Sequence, residues 1–484
     1  MRSLYKATFF YFMGNILTRF SGFILIPLYT NILSTSEYGN YGLLMAVYAI
    51  LNVLYQAGLF QGFIKFFYDK GTDPSRVVST TLNTIILFGF VVALLLSIFY
   101  RPLAVLTGIS IDLSSLLLII FWLILFDTLA YFGLHFLKTK KMARHAVSYS
   151  LITAVANLIL NIIFLVVLRL NILGILLAQG LSNLLLLSLT FRHVRRYYLL
   201  LIDWTLLRKL FSFSLPLVIA GFFGIMMSVA DRFIIDYFMD RSEVGLYSLA
   251  YKLGLLMNVF VIAFRTAYLP HFLSIGKPDP GSRKERETLI SELRLTLIKF
   301  IGLISILFLA VVILLQYLFK IEIAGFFLIN PDYIKAAYIV PFILLAYAFN
   351  GLAAFFSLAP YMSGKSFHFV ITDVIGFTVN ITLNFLLIPH YGIMGAALAT
   401  LVGYYSASLY MYFVFTAELK KNIFGREVIA IITGCLISLY AASVSNLLPV
   451  RLLLMLLFMI FCLKISKMSL KSFFRLTVKE HKHN

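Results

Sequence analysis

The chain has 484 residues, of which 61% are apolar or aromatic and only 12% are charged. Water-soluble domains carry about 45–50% apolar residues, so this composition excludes a soluble globular protein and indicates that most of the chain lies in lipid. The formal net charge of +20 does not imply a nucleic-acid partner, because the basic residues lie in the connections between apolar segments, as in other multi-pass membrane proteins.

Apolar segments of spanning length recur along the whole chain. Because a transmembrane helix needs about 20 mainly apolar residues, we predict an all-α polytopic membrane protein with about 14 transmembrane helices. Two cysteines, Cys435 and Cys462, lie inside apolar segments and indicate neither a disulfide framework nor a metal site. The predicted segments are 8–33, 41–64, 77–99, 114–137, 146–168, 171–190, 210–236, 244–269, 293–319, 334–362, 366–388, 391–415, 427–448 and 451–466.

Basic residues lie mainly in the even-numbered connections between these segments. The connection after the fourth segment, for example, carries Lys138, Lys140, Lys141 and Arg144. Positive charge is retained on the cytoplasmic side of membrane proteins, so we expect both termini in the cytoplasm. The first apolar run has spanning length and no small-residue cleavage site, which favours a retained first helix over a signal peptide.

Two six-residue motifs indicate an internal repeat. The first repeat motif, Ser36–Tyr41, reads SEYGNY, and the second, Ser242–Tyr247, reads SEVGLY 206 positions later. Each is expected to join one apolar segment to the next. The motifs indicate that segments 1–6 repeat as segments 7–12. Because six is an even number, both repeats start on the same side of the membrane, which predicts two six-helix lobes related by a pseudo-two-fold axis along the membrane normal, with two extra C-terminal helices. Repeated halves that rock about a site between them are common in transporters.

The repeat also predicts the domain boundaries. The linker between the lobes mixes Arg and Lys with Leu and Trp, which is typical of an amphipathic helix in the cytoplasmic interface. The predicted parts are an N-terminal lobe at 1–190, the amphipathic linker at 191–209, a C-terminal lobe at 210–418, two further helices at 419–466 and a basic cytoplasmic tail at 467–484.

Ionisable residues inside the apolar segments are the candidates for function, since each costs about 2.5–3.5 kcal/mol at mid-bilayer on insertion scales. None recurs at the equivalent position of the other repeat, as expected if they serve an asymmetric substrate. Basic residues exceed acidic ones in segments 1 and 8, which favours an anion site; buried ion pairs are the alternative, and for Asp231 and Arg232 local pairing is equally expected. These candidates are Arg19, Lys252, Arg265, Asp127, Asp231, Arg232 and Asp373.

Several amide side chains could contact sugar hydroxyl groups. Asn157 has a partner at Asn161, and Asn380 has one at Asn384, which places two amides on one helix face. Because this pattern occurs in both repeats, it favours helix packing over sugar binding. The four candidates for sugar contacts are Gln56, Gln61, Asn157 and Asn380.

The repeat motifs, together with Pro27-Leu28-Tyr29 after Arg19 and with Asp231-Arg232, carry a family resemblance. The chain resembles the polysaccharide transporter family of O-antigen and capsule repeat-unit flippases, within the multidrug/oligosaccharidyl-lipid/polysaccharide exporter superfamily. The resemblance implies two lobes around a V-shaped cavity in the inner (cytoplasmic) membrane. It also implies that Arg19 and Arg265 bind the diphosphate of a polyprenyl-diphosphate-linked oligosaccharide, and we take Lys252 as the third candidate for that diphosphate site.

The expected function is therefore a flippase that moves this lipid-linked oligosaccharide to the outer leaflet by alternating access, with no catalytic residues, cofactor or metal. Expected partners are the polyprenyl-linked glycan, the lipid bilayer and other polysaccharide-assembly proteins. The membrane potential, or H⁺ or Na⁺ coupling through Asp127 or Asp373, could drive the cycle. The alternatives are a multidrug/cation antiporter of the same superfamily and, less favoured, a membrane-embedded glycan polymerase or glycosyltransferase.

Overall fold

The computed structural model describes residues 22–275, 283–323, 325–365, 367–419, 423, 425–444 and 448–466. The described chain is almost entirely helical. The first eight helices are α1 Gly22–Ile32, α2 Thr35–Gln56, α3 Leu59–Phe67, α4 Pro74–Ile98, α5 Tyr100–Leu106, α6 Ser114–Thr139, α7 Ala143–Ile162 and α8 Asn171–Val194. The remaining eight are α9 Trp204–Phe238, α10 Arg241–Ile275, α11 Arg283–Leu318, α12 Ala336–Phe356, α13 Leu358–Ser363, α14 Phe367–Leu419, α15 Arg426–Val444 and α16 Leu448–Ser466.

Short elements connect several of these helices. A π-helical turn follows α7, and a two-stranded hairpin lies between α11 and α12. Their bounds are Ile111–Leu113, Arg195–Tyr197 and Pro331–Tyr333 for the 3₁₀ turns, Ile163–Val167 for the π-helical turn, and β1 Glu322–Ile323 with β2 Phe326–Phe327 for the hairpin.

The described residues include ten helical stretches that are long and apolar enough to cross a membrane. One of them, α14, contains a non-helical residue, Gly392 (φ 58°), and its two arms occupy the predicted segments 11 and 12. Helices α15 and α16 occupy segments 13 and 14, and α1 is the described part of segment 1. The prediction of an all-α polytopic membrane protein is confirmed.

Two predicted stretches differ from the structure. Segment 2 is interrupted where Ala57 and Gly58 both adopt left-handed backbone conformations (φ 43° and 66°), which ends α2 and starts α3. The polar connection predicted around 270–292 is largely helical, since α10 continues to Ile275 and α11 begins at Arg283. Charged residues do not prevent helix formation outside the lipid, so hydropathy underestimates helix length there.

The repeat motifs are helix starts rather than connecting turns. Ser34 caps α2: its hydroxyl accepts from the Glu37 amide (3.2 Å), and the Glu37 carboxylate accepts from the Ser34 amide (2.9 Å). At the equivalent place before α10, the Asp240 carboxylate accepts from the Glu243 amide (2.9 Å). Both helix starts therefore have an N-cap side chain that accepts from the amide of a Glu three residues later.

The two helix starts pack directly against each other through glycine. A Cβ at Gly39 would collide with the Arg241 carbonyl oxygen, and a Cβ at Gly245 would collide with the Thr35 carbonyl oxygen. The Ser242 hydroxyl donates to the Thr35 hydroxyl (2.6 Å). Because Thr35 and Arg241 are repeat-equivalent, as are Gly39 and Gly245, this reciprocal contact is what a local two-fold axis between α2 and α10 produces.

Residues 327–333 pack on the end of α1. The Asn31 amide donates to the Phe327 carbonyl (2.7 Å) and accepts from the Phe327 amide (3.1 Å). The Tyr333 hydroxyl donates to the Leu33 carbonyl (2.9 Å), and its ring packs edge-on against Tyr38 at 5.7 Å between centroids. Polar groups at the end of α1 are thereby satisfied by the Phe327 main chain and the Tyr333 hydroxyl, which lie about 300 residues away.

The helices form two compact units. Of the described residues, the first unit contains those up to Leu249 together with 325–333 and Ile381–Ala396, and the second contains those in Ala250–Ile323, in Ile334–Asn380 and from Ala397 on. Helix α9 and the start of α10, which the repeat assigns to the second lobe, thus pack in the first unit. The lobe boundaries derived from the repeat stay a prediction.

The linker has a different form from the amphipathic helix expected at 191–209. Helix α8 continues to Val194, a single 3₁₀ turn covers Arg195–Tyr197, and α9 begins at Trp204. Tyr198 is extended (φ −85°, ψ 129°). Polar side chains of α4 bind this backbone, which competes with helix formation.

Candidate functional site

Arg265 lies in α10, half-buried, in the second unit. Its guanidinium carbon is 6.0 Å from the ring centroid of Tyr361 on α13, which is a cation–π geometry. Within the described part of this unit, no carboxylate forms an ion pair with Arg265. Because a guanidinium presents several N–H donors that bind phosphate oxygens two at a time, Arg265 suits an anion such as a diphosphate.

Lys252 is the second basic candidate of α10. It is half-buried, and its neighbour Tyr251 packs edge-on against Tyr347 at 5.7 Å between centroids. Thirteen residues separate Lys252 from Arg265, which corresponds to about 20 Å along a helix. The two cations therefore mark two different depths along α10.

Asp127 is a buried carboxylate inside the first unit. It lies on α6 with 1% of its surface exposed, and the Gln179 side chain on α8 donates to Oδ2 at 3.3 Å. Its Oδ1 atom is buried without a hydrogen-bond partner. Asp373 lies half-buried near the start of α14. These two acids stay the candidates for ion coupling.

Asp231 and Arg232 are brought together with the start of α10. The fully buried Asp231 carboxylate accepts from the Tyr247 hydroxyl (2.5 Å) and from the Arg232 amide (2.9 Å), and it forms an ion pair with the Arg232 side chain (3.5 Å). Arg232 also donates to the Ser228 carbonyl (2.8 Å) and the Ser248 hydroxyl (3.3 Å). This arrangement matches the local pairing considered from the sequence and ties α9 to α10.

The amide candidates make helix contacts. The Asn161 side chain donates to the Asn157 carbonyl (2.8 Å) and accepts from the Tyr29 hydroxyl (2.9 Å), which joins α7 to α1. Asn380 is fully buried and donates to the Thr400 hydroxyl (3.3 Å). These contacts support the packing interpretation of the repeated Asn pairs.

The remaining candidates have less defined surroundings. Gln56 donates to Asn52 within α2, and Gln61 is exposed on α3. Arg19 lies outside the described residues. Sequence reasoning missed Tyr361, which lies near the end of predicted segment 10 among apolar residues that give no signal for it.

We expect Asn161→Ala to weaken the contact between α1 and α7. A hydrogen bond between membrane helices contributes about 0.6 kcal/mol on average and up to about 1.7, so thermal unfolding in detergent should show a small drop in melting temperature. Tyr29→Phe should cause a similar drop. The double variant should lose no more than Asn161→Ala alone, because Tyr29→Phe removes a bond that Asn161→Ala has already removed; fully additive losses would contradict this assignment.

A comparison with family models matches residues 4–275 to the polysaccharide biosynthesis protein family. This match covers more than half of the chain. The chain belongs to the polysaccharide biosynthesis protein family. A comparison with curated proteins found no match.

Solved structures share the fold of this polysaccharide biosynthesis family member. "Lipid II flippase MurJ, inward closed conformation" is 16% identical with a TM-score of 0.71, covering 96% of this chain and 98% of that chain. An inward-facing multidrug resistance MATE family transporter of the MOP superfamily is 14% identical with a TM-score of 0.68, covering 84% and 96%. A Vibrio cholerae MATE transporter, VcmN, is 16% identical with a TM-score of 0.57, covering 87% and 98%. The chain shares the fold of these structures, in agreement with the fold that the resemblance found in the sequence implies.

Proposed function

We propose that this protein is a flippase that moves a polyprenyl-diphosphate-linked oligosaccharide from the cytoplasmic to the outer leaflet by alternating access. Arg265 carries the proposal: it is an intramembrane cation that faces an aromatic ring, and no described carboxylate of its unit neutralises it. A cation so placed suits an anionic headgroup and repels a cationic drug. Membership of a polysaccharide biosynthesis family supports a glycan as cargo.

The different depths of Arg265 and Lys252 along α10 suggest a path for the diphosphate across the membrane. The basic even-numbered connections favour cytoplasmic termini in the cell membrane, which puts Arg265 near the cytoplasmic end of α10 and Lys252 deeper. In this scheme Arg265, together with Arg19, receives the diphosphate, and Lys252 binds it later in the cycle. The lipid tail stays in the bilayer, and the glycan passes as a hydrated group.

Energy for the cycle can come from the membrane potential. Moving an anion out of a negative interior is favourable by about 2.3 kcal/mol per charge per 100 mV. Ion coupling is the second source, with Asp127 as the first candidate and Asp373 as the second. No cofactor, metal or catalytic residue enters this scheme, and its partners are the glycan lipid, the bilayer and other polysaccharide-assembly proteins.

The competing function is a multidrug/cation antiporter. The fold shared with multidrug MATE transporters and the buried carboxylate of Asp127 favour it. Deleting the gene separates the two functions. The flippase proposal predicts that a polyprenyl-diphosphate-linked oligosaccharide accumulates on the cytoplasmic side, detected by mass spectrometry of lipid extracts. Unchanged glycan lipids with increased sensitivity to cationic drugs would instead establish the antiporter.

A further inference from the structure

The segment between α8 and α9 is fixed on the surface of α4 and contains a tight turn, in which the Leu201 amide donates to the Leu199 carbonyl (2.9 Å). The Ser79 hydroxyl accepts from the Leu199 amide (2.7 Å), and the Asn83 amide donates to the Leu201 carbonyl (2.9 Å). The Thr80 hydroxyl accepts from the Asp203 amide (3.1 Å), and the Tyr198 hydroxyl donates to Asn83 (2.8 Å). Since the bonding residues lie on one face of α4, both ends of the segment are held close together.

This fixed segment presents apolar side chains outward instead of burying them. Leu200 is 90% exposed and Trp204 is 72% exposed. Exposed basic residues lie on both sides of them in sequence, and in the described part of the chain no carboxylate forms an ion pair with these cations. They are Arg195, Arg196, Arg208 and Lys209.

A cleft continues from this surface along the first turns of α9. It has a volume of about 730 Å³ and is bordered by Trp204, Arg208, Phe211 and Leu215, which recur at helical spacing on one face. From Arg208 to Leu215 the cleft extends about 10 Å along the helix axis. One end is thus cationic and the other apolar, which is the polarity of a phospholipid at the membrane interface.

We propose that residues 195–215 form a binding surface for an anionic phospholipid of the cytoplasmic leaflet. Arg208 and Lys209 bind the headgroup phosphate with Arg195 and Arg196 nearby, Trp204 lies at headgroup level, and an acyl chain lies along Phe211 and Leu215. Clusters of basic residues beside a membrane helix recognise anionic lipids, and indole rings favour the interface. The proposal does not depend on the identity of the transported substrate.

The chain has only two tryptophans, Trp122 and Trp204, which makes the test direct. Trp122 lies on α6 against Phe90, at 5.5 Å between ring centroids, so Trp122→Phe retains an aromatic contact and leaves Trp204 as the only reporter. This full-length variant is reconstituted in phosphatidylcholine vesicles that contain brominated phosphatidylglycerol or brominated phosphatidylcholine. We expect brominated phosphatidylglycerol to quench Trp204 with an apparent affinity at least about fivefold higher than that of brominated phosphatidylcholine.

Matched variants separate a specific site from general surface charge. Arg208→Gln with Lys209→Gln should remove the preference, whereas Lys141→Gln with Arg144→Gln, an equal loss of exposed charge at another connection, should retain it. In Trp204→Phe, which leaves Trp122 as the reporter, the two brominated lipids should quench the fluorescence equally. Three results would each overturn the proposal. The two brominated lipids could quench Trp204 equally, or neither could quench it because another part of the chain covers it. The third is an equal effect of the two charge variants.

Discussion

Replacing Arg265 with Ala is expected to abolish glycan export at normal expression. The guanidinium supplies several charge-assisted hydrogen bonds to a diphosphate, and each contributes about 1.5–3 kcal/mol, so transport should fall by at least about tenfold. Arg265→Lys should retain part of the activity, because it keeps the charge and loses the planar donor geometry. The measurement is complementation of a strain that lacks this gene, with membrane protein levels matched by immunoblot.

Arg294 provides the matched control for Arg265. It lies in the same unit, and its ion pair with Glu427 (2.6 Å) is partly exposed. Exposed pairs contribute about 0–1 kcal/mol, so Arg294→Ala should complement almost as well as the unchanged chain. Tyr361→Phe should be tolerated, because the ring face remains, while Tyr361→Leu should be impaired. Normal export by Arg265→Ala would rule out the proposed role of this residue.

A side chain larger than hydrogen at Gly245 is expected to disrupt the contact between α2 and α10. The collision is with the Thr35 backbone carbonyl, which cannot move aside as a flexible side chain does, so the helices must separate. Overpacking of this kind costs about 1–3 kcal/mol and sometimes more. We therefore expect Gly245→Val to lower the yield and the melting temperature in detergent, and Gly39→Val to act similarly because its position is repeat-equivalent.

Gly221 on α9 is the control for this second prediction. No heavy atom lies within 4 Å of a Cβ placed there. Alanine in a helix is favoured over glycine by about 0.8–1.0 kcal/mol, so Gly221→Ala should melt at the same or a slightly higher temperature. If Gly245→Val melted like Gly221→Ala, the close contact between the repeat motifs would be refuted.

The sequence predicts the helices well because lipid imposes a length on each apolar segment. The predicted segments 11 and 12 are separated at 389–390, and the structure has its non-helical residue close by at Gly392. Hydropathy could not reveal the left-handed pair Ala57–Gly58, since an apolar run continues on both sides of it. Nor could hydropathy reveal that the linker is not helical between Tyr197 and Trp204, because hydrogen bonds from polar side chains of α4 fix its conformation.

The sequence identifies which residues are candidates for the site, but it does not identify most of the residues that they contact. The local pairing of Asp231 with Arg232 follows from adjacency, and the structure adds Tyr247, which is sixteen positions away. The aromatic partner of Arg265 comes from a different helix, so no spacing rule identifies Tyr361. The repeat motifs indicate duplication, but only tertiary packing reveals that the two glycines touch.

The most direct test of the central claim is translocation of the glycan lipid by the purified protein. Lipid-linked oligosaccharide from the deletion strain is labelled on its sugar with a fluorophore, reconstituted with the protein in liposomes, and exposed to a membrane-impermeant quencher. The flippase proposal predicts that, with the unchanged chain, quenching exceeds the fraction of labelled lipid that starts in the outer leaflet of the liposomes. With Arg265→Ala, quenching should stop at that outer-leaflet share. Quenching that stops at the outer-leaflet share with correctly inserted, unchanged protein would contradict it.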